Sequence, residues 1–128
     1  MARAELNRSE INKILNDPSG MVGRDLVRRG RNVKKAAKRF VGKDTRALHD
    51  SINSDIKRSV GGLYVRVGSE LPYALDHHNG TRRHIIRAKP GKVLAFPSSG
   101  RMVFATQVNH PGTRPNLYLT RALPAARL

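Results

Sequence analysis

Helical periodicity at both ends of the chain, a two-residue period from Ile56 onward and glycine turns spaced closely enough for hairpins together predict an α+β fold. The expected elements are N-terminal helices including one long basic helix, a small antiparallel β-sheet and a short C-terminal helix. At 128 residues and 14.2 kDa the chain has the size of one domain, read as a helical N-terminal segment over residues 1–54, a sheet over 55–110 and a C-terminal helix over 115–126. Folding at this length buries roughly two thirds of the surface the unfolded chain exposes, so a single core needs no disulfide or metal staple. The sequence contains no cysteine to supply one.

Leu6, Ile11, Ile14 and Leu15 recur at helical spacing, with Ser9 as the expected cap and Asp17-Pro18-Ser19-Gly20 as the stop. Val22, Leu26, Val33, Ala36, Ala37 and Phe40 then share one face of a helix of about twenty residues, which Gly42 ends. Thr45 to Ser54 allows one or two further helical turns with Leu48 and Ile52 inward. From Ile56 the period becomes two, and Gly61-Gly62 reads as the tight turn of a hairpin whose second strand places Leu63, Val65 and Val67 on one face. Pro72 to His78 suits a helical turn closed by Asn79-Gly80. Arg83–Ala88, Val93–Pro97 and Met102–Val108 are three more expected strands, the last two forming a hairpin across Ser98-Ser99-Gly100. A final helix starts near Asn116, with Leu117, Leu119, Ala122 and Leu123 as its apolar side and Pro124 fraying its end.

Twenty-five Lys and Arg against nine Asp and Glu give a net charge of +16, and the excess is uneven. Residues 1–58 carry fifteen basic and seven acidic groups, residues 59–76 are slightly acidic, and from His77 onward nine basic residues meet no carboxylate. Self-repulsion of this size points to a polyanion or an acidic protein surface as neighbour, nucleic acid being the commonest. The six aromatics, Phe40, Tyr64, Tyr73, Phe96, Phe104 and Tyr118, mostly occupy positions that read as core, which favours backbone electrostatics over base stacking. The candidate phosphate-facing residues are Arg24, Arg28, Arg31, Lys34, Lys35, Lys38 and Arg39 on the long helix, and Arg82, Arg83, Arg87, Lys89 and Lys92 around a cationic loop suited to ordering on assembly. Charged residues through Met1–Leu15 and only short apolar runs predict neither a signal peptide nor a membrane span, so a soluble, unprocessed chain is expected.

No catalytic constellation emerges. His77 and His78 are adjacent and diverge on any regular element, and His84 and His110 lie near turns without a carboxylate beside them. Asp76-His77-His78-Asn79 and Asn109-His110 superficially suggest a histidine-and-asparagine endonuclease, but Pro111-Gly112 follows where that arrangement needs a helix and a second histidine. A ribonuclease built on His84, Arg83 and Tyr73 is compatible with the composition and has no positive signal; it would require loss of activity in His84→Ala or His110→Ala. Phosphate-cradling glycine motifs are absent. The expectation is a protein that is not an enzyme and carries no cofactor or metal.

An ordered series of steps does carry a resemblance. Leu71-Pro72-Tyr73-Ala74, then Asn79-Gly80-Thr81-Arg82-Arg83-His84-Ile85-Ile86, then Val93-Leu94-Ala95-Phe96, then Val108-Asn109-His110-Pro111-Gly112-Thr113-Arg114-Pro115-Asn116-Leu117-Tyr118-Leu119 and Arg121-Ala122-Leu123 follow one another. With Leu48, Ser51 and Ile52 before the first strand, this series over residues 45–123 resembles the tail-completion and head-tail joining (neck, connector) proteins of long-tailed bacteriophages. His77-His78 stands where that family often has an acidic residue. The resemblance implies a head-tail connector-like domain, a small sheet flanked by a long helix. It implies a cyclic homo-oligomer, a hexamer or dodecamer, lying between head-connector proteins and tail-tube or tail-terminator proteins, with packaged double-stranded DNA in the lumen and no membrane. It places the protein in the virion neck after assembly in the host cytoplasm, with Tyr73, His84, Phe96, His110, Pro111, Gly112, Thr113 and Tyr118 at subunit or partner interfaces. A free-standing basic nucleic-acid-binding domain is the alternative reading of the same charge.

Overall fold

The computed structural model describes residues 2–43 and 46–127. The fold is α+β, with helices α1 (Arg8–Asn16), α2 (Met21–Phe40), α3 (Ala47–Ser51), α4 (Ala74–Asn79) and α5 (Tyr118–Ala122) and strands β1 (Asn53–Ser59), β2 (Gly62–Gly68), β3 (His84–Arg87), β4 (Leu94–Ser98), β5 (Arg101–Ala105) and β6 (Gln107–His110). Two compact units divide it, one formed by residues 1–74 and 116–128 and the other by residues 75–115. Among the described residues the expected sheet is three separate two-stranded antiparallel ladders, β1 with β2, β3 with β6 and β4 with β5.

The first unit holds the core. Val33, Ala36, Ala37 and Val41 from the end of α2 meet Leu48 and Ile52 around α3, with Ala74, Tyr118 and Ala122 completing the cluster. The long helix and the inward Leu48 and Ile52 are as the spacing predicts; Thr45, where the spacing allows this third helix to start, lies outside the described residues. The chain enters α5 through Asn116, whose side-chain amide donates to the carbonyls of Phe40 (3.0 Å) and Val41 (3.3 Å), meeting acceptors that the end of α2 leaves open. The inward side of α5 is Tyr118, Leu119 and Ala122; Leu117 and Leu123, expected there, remain 43% and 61% exposed, the first preceding the helix as its N-cap and the second lying past its end. A 3-10 helix over Leu123–Arg127 follows, its tighter pitch accommodating Pro124.

Three local expectations are corrected. Asn7, and not Ser9, caps α1, its side-chain oxygen accepting the Glu10 amide at 3.2 Å. The β1–β2 turn is Val60-Gly61, because Ser59 already pairs with Gly62 and the ladder closes one residue earlier than a Gly-Gly turn would allow. The stretch Met102–Val108 is two strands, since the ladder exchanges partners at Thr106: β5 pairs back on β4, and β6 crosses to β3. The Thr106 carbonyl accepts from the Ala88 amide at 2.9 Å at the point of exchange.

Gly30, buried in the middle of α2, makes the contact between α2 and β2 possible. A Cβ built there would lie 2.5 Å from Val65 Cγ1, and Val65, β-branched and on a paired strand, has little freedom to move. Gly30→Ala gains about 1 kcal/mol of helix propensity but meets about 1–3 kcal/mol of overpacking. A net loss of about 1 kcal/mol is therefore expected in urea unfolding, recovered in the Gly30→Ala/Val65→Ala double variant.

The second unit contrasts with the first: none of residues 75–115 is buried. Ile85, Val93, Met102 and Phe104 are 51%, 58%, 59% and 65% exposed, although two-stranded ladders are marginal on their own. Tyr64, Tyr73 and Phe104 are likewise exposed, so of the aromatics expected mostly in the core Tyr118 is fully buried and Phe40 packs half-buried against the core.

Candidate functional site

Two features gather the residues singled out in the sequence. The first is a clasp in the second unit that joins Gly80-Thr81 to Gly112-Thr113. The Thr81 amide donates to the Thr113 carbonyl at 3.2 Å and the Thr113 amide to the Thr81 carbonyl at 3.1 Å. The two hydroxyl oxygens lie 3.1 Å apart, and each also accepts from the other threonine's amide at 3.1 Å. The arrangement is reciprocal across 32 residues of sequence.

The glycines make this closeness possible. Both lie in the left-handed region, at φ +74° for Gly80 and +87° for Gly112. A Cβ on Gly80 would stand 2.6 Å from the Thr113 carbonyl oxygen, and one on Gly112 would stand 2.4 Å from that of Thr81. Only a residue without a side chain fits either place.

Next to the clasp, β3 and β6 pair in the register His84↔His110, and the two imidazoles stack with centroids 4.9 Å apart. His84 Nδ1 lies 2.7 Å from the Arg82 carbonyl, the geometry of a donor, whereas His110 Nδ1 accepts the Gly112 amide at 3.0 Å. Both Nδ1 atoms thus hold turn backbone in place. No group of three His, Cys, Asp or Glu that could hold a metal occurs among the described residues. His77 and His78 lie on α4, where His78 Nδ1 approaches Asn79 Oδ1 at 2.8 Å.

The second feature is α2. Sequence alone distributes its cations over every side but the apolar one, and the structure sorts them. Arg24, Arg28, Arg31, Lys35 and Arg39 are exposed at steps of three and four residues, which aligns them in one stripe. Lys34 is half-buried and donates to Asn53 Oδ1 at 3.3 Å. Arg29 turns to Asp25 and to the Ala126 carbonyl, both at 2.7 Å. Arg28 shares Asp25 at 2.7 Å, so it comes to the stripe already paired, and the bonds from Arg29 and Arg28 hold the Asp25 carboxyl below the usual aspartate range. Lys38 is half-buried, and the guanidinium of Arg39 sits 5.9 Å from the Phe40 ring. In the second unit, Arg82, Arg83, Arg87, Lys89 and Lys92 are all exposed, with a turn closed by the Lys92 amide on the Lys89 carbonyl at 2.9 Å.

Of the expected interface residues, His84, His110, Gly112 and Thr113 come together in and beside the clasp. Pro111 lies between His110 and Gly112 and is exposed, Phe96 is half-buried on β4, and Tyr73, in the first unit, is 45% exposed. Tyr118 is the exception: at 1% exposure, with its hydroxyl 3.4 Å from the Ala74 carbonyl, it belongs to the core and not to a partner surface. A polar recess that sequence reasoning missed is lined by Asp55, Glu70 and Arg66 with Ser51, Asn53 and Ser69. Among the described residues no helix is long and apolar enough to cross a membrane. Comparison with protein-family models, with curated proteins and with solved structures finds no match to this chain.

Proposed function

We propose that the protein is a structural component of the neck of a long-tailed bacteriophage, forming a ring that joins the connector of the DNA-filled head to the tail tube during tail completion. The observation that carries this reading is the clasp. The G-T-R-x-H and H-P-G-T steps, which give the resemblance its content, meet as one reciprocal unit, as steps with a shared structural purpose would. Two further observations support it. A unit of exposed apolar strands without a buried residue suits a chain completed by neighbouring copies, and a charge of +16 suits a lumen filled with DNA. In this reading the partners are further copies of the chain, the adjacent head-connector proteins, the tail-tube or tail-terminator proteins and the packaged double-stranded DNA, and the place is the virion.

Deletion of the gene from the genome that carries it, followed by imaging of the particles, tests the proposal. DNA-filled heads accumulating beside detached tails are the expected result; complete, infectious particles would overturn it.

The α2 stripe favours a second reading, a free-standing nucleic-acid-binding domain. Its cations are spaced for successive phosphates, and Arg24, Arg31 and Lys35 make no ion pair among the described residues. That reading expects tight binding by a monomer, with the logarithm of affinity falling by about 0.9 per phosphate contact for each decade of salt. Replacing Arg24, Arg31, Lys35 and Arg39 by glutamine would then lower the slope by about 3–4 in anisotropy titrations against duplex DNA. The neck reading expects weak binding at every stage of the same titration.

A further inference from the structure

Strands β4 and β5 form a hairpin that is apolar on both of its faces. Cross-strand partners share a face, so the register Leu94↔Ala105 and Phe96↔Val103 places these four on one side. Ala95↔Phe104 and Pro97↔Met102 occupy the other, where all four are exposed, Met102 by 59% and Phe104 by 65%. A ladder with one solvated face alternates apolar with polar residues, whereas a continuous apolar run belongs to a strand covered on both sides. Among the described residues nothing supplies that cover.

The free edge belongs to β5. Proline has no amide hydrogen, so Pro97 fits a ladder only with its nitrogen turned away from the partner strand. The two-residue turn Ser99-Gly100, at φ +50° and +78°, closes on the hydrogen-bonded pair Ser98↔Arg101 and sets the same phase. Pro97 and Met102 are therefore a non-hydrogen-bonded pair, and the N–H and C=O groups of Met102 and Phe104 point away from β4. No second strand pairs with β5 among the described residues. On β4 the outer side lacks a donor at Pro97; between Met102 and Ala105 neither proline nor charge guards the edge.

Cations bracket this apolar stretch. Lys89 and Lys92 close the turn that leads into β4, Arg87 pairs with Gln107 just beyond the end of β5, and Arg101 opens β5. All four are exposed, and none makes an ion pair among the described residues. The unit of residues 75–115 carries seven Lys and Arg against one carboxylate, Asp76. Charge and edge together select the occupant. A second copy of the hairpin matches it least, because cations at both ends meet cations in a parallel or an antiparallel pairing, and the chain as a whole is +16. A bilayer is a poor host for an open strand edge, whose N–H and C=O groups find no partner in hydrocarbon. Nucleic acid would answer the cations but gives exposed aliphatic side chains such as Val93 and Met102 little cover.

We infer that an acidic, extended segment of another protein adds as a strand to the free edge of β5. Its backbone pairs with Met102 and Phe104, its apolar side chains extend the two apolar faces, and its carboxylates meet Arg101 at one end and Lys89 and Lys92 at the other. Backbone bonds supply the affinity in this mode, and side-chain alternation and charge supply the selectivity. The inference rests on the neck reading for the source of the segment, an adjacent head or tail protein, and adds the chemistry by which it is recognised.

The probe is a fluorescent peptide of alternating valine and threonine flanked at both ends by glutamates, titrated with the full chain and followed by anisotropy. The wild type is expected to bind it at least about tenfold more tightly than glutamate alone or the same core flanked by lysines. Three variants accompany it: Met102→Ser/Phe104→Ser, Lys89→Gln/Lys92→Gln/Arg101→Gln, and Met102→Pro, which removes one outward donor and no bond to β4. Each should weaken binding by about tenfold or more. Protection of the Val103 amide, on the side facing Phe96, checks that each variant keeps its hairpin. Binding no tighter than that of glutamate alone would overturn the inference in favour of a polyanion such as nucleic acid. Equal binding of the lysine-flanked peptide would overturn it by removing charge from the recognition. Self-association of the wild type, or its binding to phosphatidylglycerol vesicles, that the serine variant abolishes would overturn it in favour of a second copy or a membrane. A wild type that binds none of the peptides would overturn it outright and leave standing the neck reading, which the gene deletion tests separately.

Discussion

Replacing Gly112 by alanine is expected to unfasten the β3–β6 ladder while leaving the core of the first unit folded. The cost has two sources. A non-glycine residue held at φ +87° loses roughly 1–2 kcal/mol against its preferred backbone. Its Cβ would also stand 2.4 Å from the Thr81 carbonyl oxygen, a backbone atom that moves only if the reciprocal Thr81–Thr113 bonds lengthen. Together these exceed about 2 kcal/mol, in a unit where none of residues 75–115 is buried and little burial offsets the loss. Amide hydrogen exchange is the measurement: the Thr81 and Thr113 amides should lose most of their protection, whereas Val33, Ala37 and Ile52 should keep theirs. Gly80→Ala, with its clash at 2.6 Å, should act in the same way, and the double variant should cost less than the sum because both changes break one unit. Equal loss of protection in both units would show that the clasp and the core unfold together.

How much of this is legible in the sequence differs by element, and the difference is physical. The long helix and Ile52 follow from spacing, because an apolar face buried along a whole helix imprints a period on the sequence. The partner exchange at Thr106 leaves no such imprint: Met102–Ala105 and Gln107–His110 are both extended, and which strand each pairs with depends on residues well separated from it along the chain. Likewise the spacing of Ile11, Ile14 and Leu15 gives α1 two faces, but not the bond from Arg58 to the Asn16 carbonyl, which joins positions 42 residues apart. The clasp is half legible. Gly80 and Gly112 can each be read as a turn, but their mutual closeness, and the stacking of His84 on His110, arise only when β3 and β6 pair. The basic stripe emerges once Asp25, Asn53 and the Ala126 carbonyl have drawn Arg29 and Lys34 away from it.

Tyr118→Ala is expected to be the most destabilising single truncation in the first unit, by about 3–5 kcal/mol. That is a large share of the roughly 5–15 kcal/mol available to a domain, so a lowered urea midpoint and partial unfolding near body temperature should follow. Tyr118 and Ile52 are the largest fully buried side chains, and the tyrosine ring lies among the α2, α3 and α5 residues that make up the core. A partner-contact residue would behave differently: Tyr73→Ala, at a 45% exposed position, should shift stability by no more than about 0.5 kcal/mol. The hydroxyl adds a separate signature. Burial raises the Tyr118 pKa above the ordinary tyrosine value, so the unfolded chain releases this proton first as the solution becomes alkaline. The resulting stability is fully present below about pH 10 and is lost as pH rises from there through the folded-state pKa. Tyr118→Phe removes that alkaline component. It forfeits the long 3.4 Å bond to the Ala74 carbonyl and keeps the buried ring, so at neutral pH it should cost about 1 kcal/mol or less. A neutral-pH loss for Tyr118→Phe as large as that for Tyr118→Ala would mean that the hydroxyl bond, and not the buried ring, holds the C-terminal helix on the core.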